Sequence, residues 1–165
     1  MKVTSSGIVN GYFKDKYGKY GSQKNKHGKA TCSIPFTIED APDGTKSFAA
    51  VLYDMDDVPV SGFPWIHWTL CNLTDTTVKE NASLNHPDFI QGSSTFHSIA
   101  CDETLEEGSC YGGMAPEGGD HEYTLIVYAL DCMLNLEKGF FLNHLLYAME
   151  GHILEKAVLK ANYRD

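Results

Sequence analysis

The sequence predicts a mainly β protein, in which an antiparallel sheet is accompanied by a few peripheral helices. Two apolar runs rich in aromatic and branched residues, at 48–53 and 65–73, flank an acidic turn that contains prolines and a glycine. This is the pattern of two strands joined by a loop. A third run, at 123–130, reads Y-T-L-I-V-Y-A-L and predicts a buried strand. Near the C-terminus the apolar residues repeat instead at helical spacing, which predicts a helix at 142–160.

The length and composition predict one domain that spans residues 1–165. A chain of 165 residues with 42% hydrophobic residues is long enough to bury a single core. Its apolar runs are all shorter than the roughly 18 residues of a membrane-spanning helix. The N-terminal residues contain no apolar stretch of the kind found in secretory signals. We therefore expect a cytoplasmic protein without a membrane span.

The charge of the chain excludes one class of partner. The net charge is −9, although residues 1–29 carry seven lysines and one aspartate, so the rest of the chain is more acidic still. Nucleic-acid binding requires many phosphate contacts, which this acidic body disfavours. The Lys- and Tyr-rich segment at 14–29 is interpreted as a solvated, charged loop. Any anion that the body binds must be held by local hydrogen-bond donors.

The cysteines argue against a zinc framework or a disulfide scaffold. There are five of them, an odd number, widely spaced and without a C-x-x-C pair. Reduced, mostly buried cysteines that behave as small hydrophobic residues are the expectation. No metal and no cofactor is predicted.

The remaining elements follow from local patterns. In chain order, the sequence predicts a short strand at 8–13, a strand at 30–38 and a turn at 41–44. The segment at 75–109 is polar and too long for a plain connection, so it is either a functional loop or contains short helices and strands. Within it, Asp102, Glu103, Glu106 and Glu107 are interpreted as a solvated acidic face.

The central strand pair predicts a site. If the strands at 48–53 and 65–73 pair antiparallel, Asp54 and Asp56 lie near His67. Strict alternation along the second strand places His67 and Thr69 on one face and Trp68 on the other. A histidine just inside one strand, beside carboxylates that leave another, is a candidate binding or catalytic site.

A glycine-rich segment adds hydrogen-bond donors to this site. Residues 110–123 read C-Y-G-G-M-A-P-E-G-G-D-H-E-Y, so His121 also comes at the start of a strand. The glycines allow backbone amides to approach a ligand closely, and Tyr111 and Tyr123 add hydroxyl groups. Converging amides, hydroxyls and imidazoles suit a small oxyanion such as phosphate. The carboxylates then orient the histidines by accepting from one ring nitrogen.

Three alternatives remain open from the residues alone. Two histidines and an aspartate can bind a metal, although no H-x-x-H or H-E-x-x-H pair occurs. Asp54 and Asp56 can act as an acid/base pair. Cys110 is a weak candidate for a nucleophile, and no G-x-S-x-G motif is present.

The sequence resembles the phosphatidylethanolamine-binding protein family, in its bacterial and archaeal Raf-kinase-inhibitor-like branch. The similar segments span nearly the whole chain: D-G-T-K-S-F-A at 43–49, D-M-D-D-V-P at 54–59, G-F-P-W-I-H-W at 62–68, the 110–123 segment, Y-A-L-D at 128–131 and G-H-I-L-E-K-A at 151–157. The resemblance implies an antiparallel β-sandwich with few helices and a small surface pocket for phosphate-like anions or phosphorylated headgroups. Carried over by position, the pocket residues are Asp54, Asp56, His67, Tyr111, Gly112, Pro116, His121 and Tyr123.

The resemblance also bears on function and partners. It implies a binding protein that is not an enzyme, with a kinase or protease as a possible regulated partner, and it is compatible with a homodimer. The alternative is a hydrolase or metal-dependent enzyme that uses the aspartates and histidines. Three residues depart from the family pattern: Met55 and Ala115 replace prolines, and Glu122 replaces an arginine. The loss of that arginine is expected to weaken anion affinity or to change ligand preference.

Overall fold

The computed structural model describes residues 1–85 and 88–165. Within these ranges the strands are β1 (Lys2–Thr4), β2 (Ile8–Val9), β3 (Tyr12–Phe13), β4 (Phe36–Glu39), β5 (Ser47–Asp54), β6 (Trp65–Leu73), β7 (Thr77–Val78), β8 (Ile90–Gln91), β9 (His97–Ser98), β10 (Cys101–Asp102), β11 (His121–Leu130) and β12 (Ile153–Tyr163). The helices are α1 (Val58–Ser61), α2 (Leu105–Gly108) and α3 (Leu142–Met149), with one 3₁₀ turn at Asp15–Tyr17. None of the helices in the described residues has the length and apolar character needed to cross a membrane.

A large sheet forms the centre of the molecule. Its strand order is β2-β3-β12-β11-β5-β6-β8. The long strand β11 pairs antiparallel with β5 on one side and with β12 on the other. The short β3 pairs parallel with β12, so the sheet is mixed at that edge. The two predicted strands at 48–53 and 65–73 are confirmed, as is their antiparallel pairing.

A second sheet, of order β1-β4-β7, covers one face of the large sheet. One buried cluster joins the two layers: Val3, Phe36 and Ile38 come from the small sheet, and Leu52 and Leu125 from the large one. The predicted mainly β class is therefore confirmed, and the two layers form a sandwich. Burial of this apolar surface is the main stabilising contribution to the fold.

Helix α3 covers part of the opposite face of the large sheet. Leu145 and Met149 of the helix pack with Ala49, Val51 and Cys71 of the sheet in a second buried cluster. Side chains from β5 thus alternate between the two clusters, as the period of a strand requires.

A β-bulge interrupts the pairing of β5 with β6 at His67. Leu52 pairs with Trp68 and Tyr53 with Ile66, which leaves His67 without a partner residue on β5. The extra residue turns the His67 side chain toward the cluster between the two sheets, which also contains Trp68. The predicted alternation, with His67 and Trp68 on opposite faces, is wrong for this reason. A bulge of this kind re-aims one side chain while the strand continues.

The predicted helix at 142–160 is wrong beyond Met149. Gly151 adopts φ +79°, and Ile153–Tyr163 forms strand β12 along the whole of β11. In this strand Ala157 is buried and Lys160 is exposed. Over so short a window the apolar spacing suits both helix and strand, and pairing with β11 decides between them. The chain therefore places a strand where a C-terminal helix was expected.

Two further predictions need correction. The strand expected at 8–13 is a hairpin, in which β2 and β3 pair antiparallel. Of the strand expected at 30–38, β4 contains only residues 36–38, although residues 30–34 are buried and Ala30 forms an isolated β-bridge with Lys24.

The expectation that the segment at 75–109 contains short helices and strands is confirmed, because β7 to β10 and α2 lie within it. Residues 86–87 of that segment lie outside the described residues.

The acidic run at 102–107 is not entirely a solvated face. Glu103 is buried and its carboxylate lies 2.5 Å from Nζ of Lys29, with both side chains at most 3% exposed. Lys29 also donates to the carbonyl of Glu107 at 3.0 Å and lies over the Phe96 ring. Local composition does not reveal that Glu103 pairs with Lys29, because the two residues are far apart in the chain.

Candidate functional site

A cavity of about 250 Å³ opens at the end of the sandwich where β5 ends and β6 and β11 begin. Its polar lining includes Asp54, Asp57, Trp65, His67 and Tyr123. The sheet register brings these residues together, because Asp54 pairs with Trp65 on one side and with Tyr123 on the other. We call this space the β5–β6–β11 cavity.

Asp54 and His121 form a buried pair beside the cavity. Nδ1 of His121 lies 2.8 Å from Oδ2 of Asp54, with the side chains 7% and 3% exposed. Oδ1 of Asp54 accepts from the backbone N–H groups of Asp56 (2.9 Å) and Asp57 (3.2 Å). Since a carboxylate accepts, Nδ1 of His121 carries a proton, and Nε2 is the ring nitrogen left for another partner.

His67 is held by the glycine-rich segment. Its Nδ1 lies 2.8 Å from the carbonyl oxygen of Gly112, so Nδ1 is the donor. The ring packs edge-on against Tyr123 at a centroid distance of 5.2 Å. Burial lowers the pKa of His67, and the Gly112 carbonyl and the Asp54 carboxylate oppose that shift. Without a ligand, His67 is therefore favoured in the neutral form, with a lone pair on Nε2.

Three buried polar atoms of the cavity lining have no hydrogen-bond partner among the described residues. They are the hydroxyl of Tyr123, Nε1 of Trp65 and Oδ2 of Asp57. Burial, and then the Asp54 carboxylate, raise the pKa of the Tyr123 hydroxyl, so it keeps its proton. Buried polar groups are almost always paired, because an unpaired one costs about 1–3 kcal/mol. Two donors and one acceptor without a partner thus belong to residues that line the same cavity.

The other predicted site residues lie around the cavity and not in its lining. Asp56 is exposed and accepts from the Glu122 N–H at 2.9 Å, which ties the turn after β5 to β11. The buried hydroxyl of Tyr111 donates to the carbonyl of Tyr17 at 2.6 Å. Pro116 is buried and its carbonyl accepts from Lys19.

The backbone amides of the glycine-rich segment already have acceptors. Gly112 N–H donates to the carbonyl of His67 at 2.9 Å, and Gly113 N–H to that of Ala30 at 2.8 Å. Gly118 and Gly119 donate to the Asp165 carboxylate at 3.1 and 3.0 Å. These four glycine amides therefore position the segment and are not free to bind a ligand.

Sequence reasoning missed Asp57 and Trp65. Asp57 is the third carboxylate of the run D-M-D-D, and Trp65 is the first residue of its strand. The signal for Trp65 is its register beside Asp54, which follows once the two strands are paired. Asp57 has no comparable signal, because its orientation depends on the turn that leads into α1.

The same residues offer a possible cation site. Asp54, Asp57 and His121 place one ligand atom each within 4.8 Å of one another. Two carboxylates and an imidazole are acceptable ligands for several divalent ions. However, both oxygens of Asp54 already accept hydrogen bonds, so a cation would have to displace them.

The fold and the cavity define a β-sandwich protein with a small cavity, lined in part by polar side chains, at one end of its large sheet. The chain matches the family described as phosphatidylethanolamine-binding protein over residues 4–164, and it belongs to that family. The protein YxkA of Bacillus subtilis is 41% identical to it, over 92% of this chain and 94% of its own length. A UPF0098 protein of Chlamydia muridarum is 31% identical, over 90% of this chain and 93% of its own length.

Solved structures share the fold. The phosphatidylethanolamine-binding protein homolog CT736 of Chlamydia trachomatis superimposes with a TM-score of 0.80 at 28% identity, covering 99% of this chain and 97% of its own. YbcL of E. coli has the same fold, with a TM-score of 0.78, 24% identity and coverage of 99% and 98%. These similarities confirm the bacterial and archaeal branch that the sequence segments indicate.

Proposed function

We propose that the protein binds the phosphoryl group of a small molecule or a phospholipid headgroup in the β5–β6–β11 cavity, without catalysing a reaction. The observation that carries this proposal is the set of three buried, unpartnered polar atoms on Asp57, Trp65 and Tyr123. The Tyr123 hydroxyl and Trp65 Nε1 can donate to phosphoryl oxygens. The free oxygen of Asp57 suits an ammonium or hydroxyl group on the same ligand, as in a phosphoethanolamine headgroup.

In its protonated form His67 supplies the positive charge that the lining otherwise lacks. Asp54, Asp57 and Glu117 line the cavity, and no Lys or Arg is among the described lining residues. A dianion next to these carboxylates needs compensating positive charge. Neutral His67 has only a lone pair on Nε2, so it must take up a proton before it can donate there. Binding is therefore coupled to proton uptake, and affinity falls as pH rises.

The contacts of the catalytic candidates favour binding over catalysis. Asp54 is committed to His121 and to two backbone donors, which leaves it poorly placed as a general base. Cys101 also lines the cavity, but burial, followed by Glu103, raises the pKa of its thiol and disfavours the nucleophilic thiolate.

A titration with inorganic phosphate and with O-phosphoethanolamine tests the proposal. We expect saturable chemical-shift changes of the His67 and His121 ring resonances in NMR spectra. Tyr123→Phe removes one unpartnered hydroxyl and is expected to weaken binding about tenfold, as the loss of one hydrogen bond of about 1.4 kcal/mol implies. The matched control is Tyr128→Phe, on the same strand but on the opposite face of the sheet.

The titrations distinguish binding in the cavity from no binding and from binding elsewhere. Unchanged histidine resonances at high millimolar concentrations of both ligands contradict the proposal. An equal effect of the Tyr123 and Tyr128 substitutions shows that binding occurs elsewhere. Tighter binding of O-phosphoethanolamine than of phosphate supports the role of Asp57, and Asp57→Asn should remove that preference.

A second candidate function is docking of a phosphorylated partner protein, of the kinase or protease class that the family resemblance implies. It is favoured by exposed apolar side chains near the cavity, namely Met55 and Val60, which are 52% and 51% exposed. Exposed apolar residues of this kind suit contact with a protein that carries the phosphoryl group. Tenfold tighter binding of a phosphopeptide than of O-phosphoethanolamine, lost in Val60→Glu, would select this function.

A further inference from the structure

A second cluster of potential ligands lies at the other end of β11, away from the cavity. Asp131 and Cys132 directly follow the last residue of β11, and His152 directly precedes β12. One carboxylate oxygen, the thiol sulfur and one imidazole nitrogen lie within 4.8 Å of one another. Asp131 and His152 are about half exposed at 46% and 47%, so the cluster is open to solvent.

The backbone holds these residues together without a metal. Asp131 N–H donates to the carbonyl of His152 at 3.1 Å, and His152 N–H donates to the carbonyl of Met149 at 3.0 Å. The carbonyl of Cys132 accepts from the hydroxyl of Ser47, the first residue of β5. These hydrogen bonds fix three chain segments to one another beside the cluster. The cluster is therefore preformed.

The donor set is chemically selective. A thiolate, an imidazole and a carboxylate together favour borderline transition ions such as Zn²⁺ over Mg²⁺ or Ca²⁺, which prefer oxygen alone. We propose that Asp131, Cys132 and His152 bind a thiophilic divalent transition-metal ion of the zinc class. Three protein ligands leave a coordination position for solvent or for an outside ligand.

The charges of the ligands agree with this assignment. A cation between them offsets the repulsion between the Cys132 thiolate and the Asp131 carboxylate, and its binding releases the thiol proton. The net charge of −9 also favours a cation at the surface. An exposed Asp–His pair alone contributes little to stability, and it gives no account of the adjacent thiol.

Titration of the reduced 165-residue chain with Co²⁺ tests the proposal, because thiolate-bound cobalt has a charge-transfer band in the near ultraviolet. The buffer is free of phosphate, and the reductant is one that does not bind cobalt. We expect one equivalent of Co²⁺ to develop the band and Zn²⁺ to displace it. Cys132→Ser should abolish the band, and His152→Gln should weaken Co²⁺ affinity at least tenfold.

Cys101→Ser is the matched control. Cys101 is also half-buried, and it lines the β5–β6–β11 cavity, so it reports any cobalt bound there. The proposal holds if the band survives in this variant. It is overturned if the unmodified chain shows no thiolate band, if the band persists in Cys132→Ser, or if His152→Gln binds Co²⁺ as tightly as the unmodified chain. Far-ultraviolet circular dichroism of each variant confirms that the fold is retained.

Discussion

The two ends of β11 carry the same pair of side chains in opposite surroundings. At the start of the strand His121 meets Asp54, and just beyond its end His152 meets Asp131; each contact joins Nδ1 to a carboxylate oxygen at 2.8 Å. The side chains of His121 and Asp54 are 7% and 3% exposed, whereas those of His152 and Asp131 are 47% and 46% exposed. Equal distances thus do not mean equal roles. The enclosed pair fixes the tautomer of His121 beside the cavity, whereas the open pair is accessible to water.

The largest difference is expected when the carboxylate is removed from each pair. Asp54→Ala leaves a buried imidazole and two backbone N–H groups without an acceptor, so we expect a loss of about 3–5 kcal/mol in the free energy of unfolding. Asp131→Ala removes an exposed partner, and we expect a change of about 0–1 kcal/mol. Urea denaturation of both variants measures the two values.

The comparison fails if the two losses agree within error. Asp54→Asn is the accompanying control, because its amide oxygen can still accept from one donor and should retain part of the stability. A loss in Asp54→Asn as large as that in Asp54→Ala would show that charge, and not hydrogen bonding, dominates this pair.

A second matched comparison uses lysine–glutamate pairs. Lys29 and Glu103 form a buried pair, with 2.5 Å between Nζ and a carboxylate oxygen. Lys160 and Glu122 form an exposed pair, with a corresponding distance of 2.6 Å. We expect Lys29→Met to lower the free energy of unfolding by about 3–5 kcal/mol, because Glu103 is left buried and unpaired. Lys160→Met should leave it unchanged within error. Thermal or urea denaturation measures both.

The double variant Lys29→Met, Glu103→Met separates two causes of that loss. If the cost comes from the uncompensated charge of Glu103, the double variant should be more stable than Lys29→Met alone. An equally unstable double variant would instead assign the loss to packing of the lysine stem over Phe96.

A third prediction concerns pH. Burial lowers the pKa of His67 below its ordinary value of 6.5, so near and below that pH the unfolded chain binds more protons than the folded one. The contribution of His67 to stability is therefore complete above pH 6.5 and is lost as the pH falls toward the folded-state pKa. Each unit by which the pKa is lowered corresponds to about 1.4 kcal/mol.

His67→Asn checks this linkage, because the asparagine amide can still donate to the Gly112 carbonyl. We expect urea denaturation between pH 7 and pH 5 to give a flatter dependence of stability on pH in the variant than in the unmodified chain. Parallel curves would show that His67 does not titrate differently in the two states.

The smallest expected effect is that of salt on the exposed pair. A double-mutant cycle of Asp131→Asn and His152→Gln should give a coupling below about 1 kcal/mol at low ionic strength, and that coupling should fall further at 1 M salt because ions screen exposed charges. A coupling that does not change with salt would mean that the pair is less accessible than its exposure indicates.

Local sequence patterns predicted the parts of the fold in which neighbouring residues decide the structure. Strands β5, β6 and β11 have long apolar runs, and Asp54, His67 and Tyr123 at their ends do line one cavity. The helix expected at 142–160 was wrong beyond Met149 because pairing with β11, a distant segment, determines that stretch.

Features that depend on contacts between distant segments could not be predicted. The bulge at His67 exists only in relation to β5, so the alternation within β6 gives no sign of it. Nor does local composition show that Glu103 is buried, since its partner Lys29 lies in the N-terminal segment. The role of Trp65 likewise depends on its register beside Asp54.

The bulge at His67 has a consequence for engineering and for comparison with relatives. Deleting this one residue would restore uninterrupted pairing between Leu52–Trp68 and Tyr53–Ile66, so the ladder would become more regular. The same deletion would take an imidazole out of the cavity. A fully regular sheet and an imidazole in the cavity therefore exclude each other at this position, and a variant selected for thermal stability alone would tend to lose the bulge.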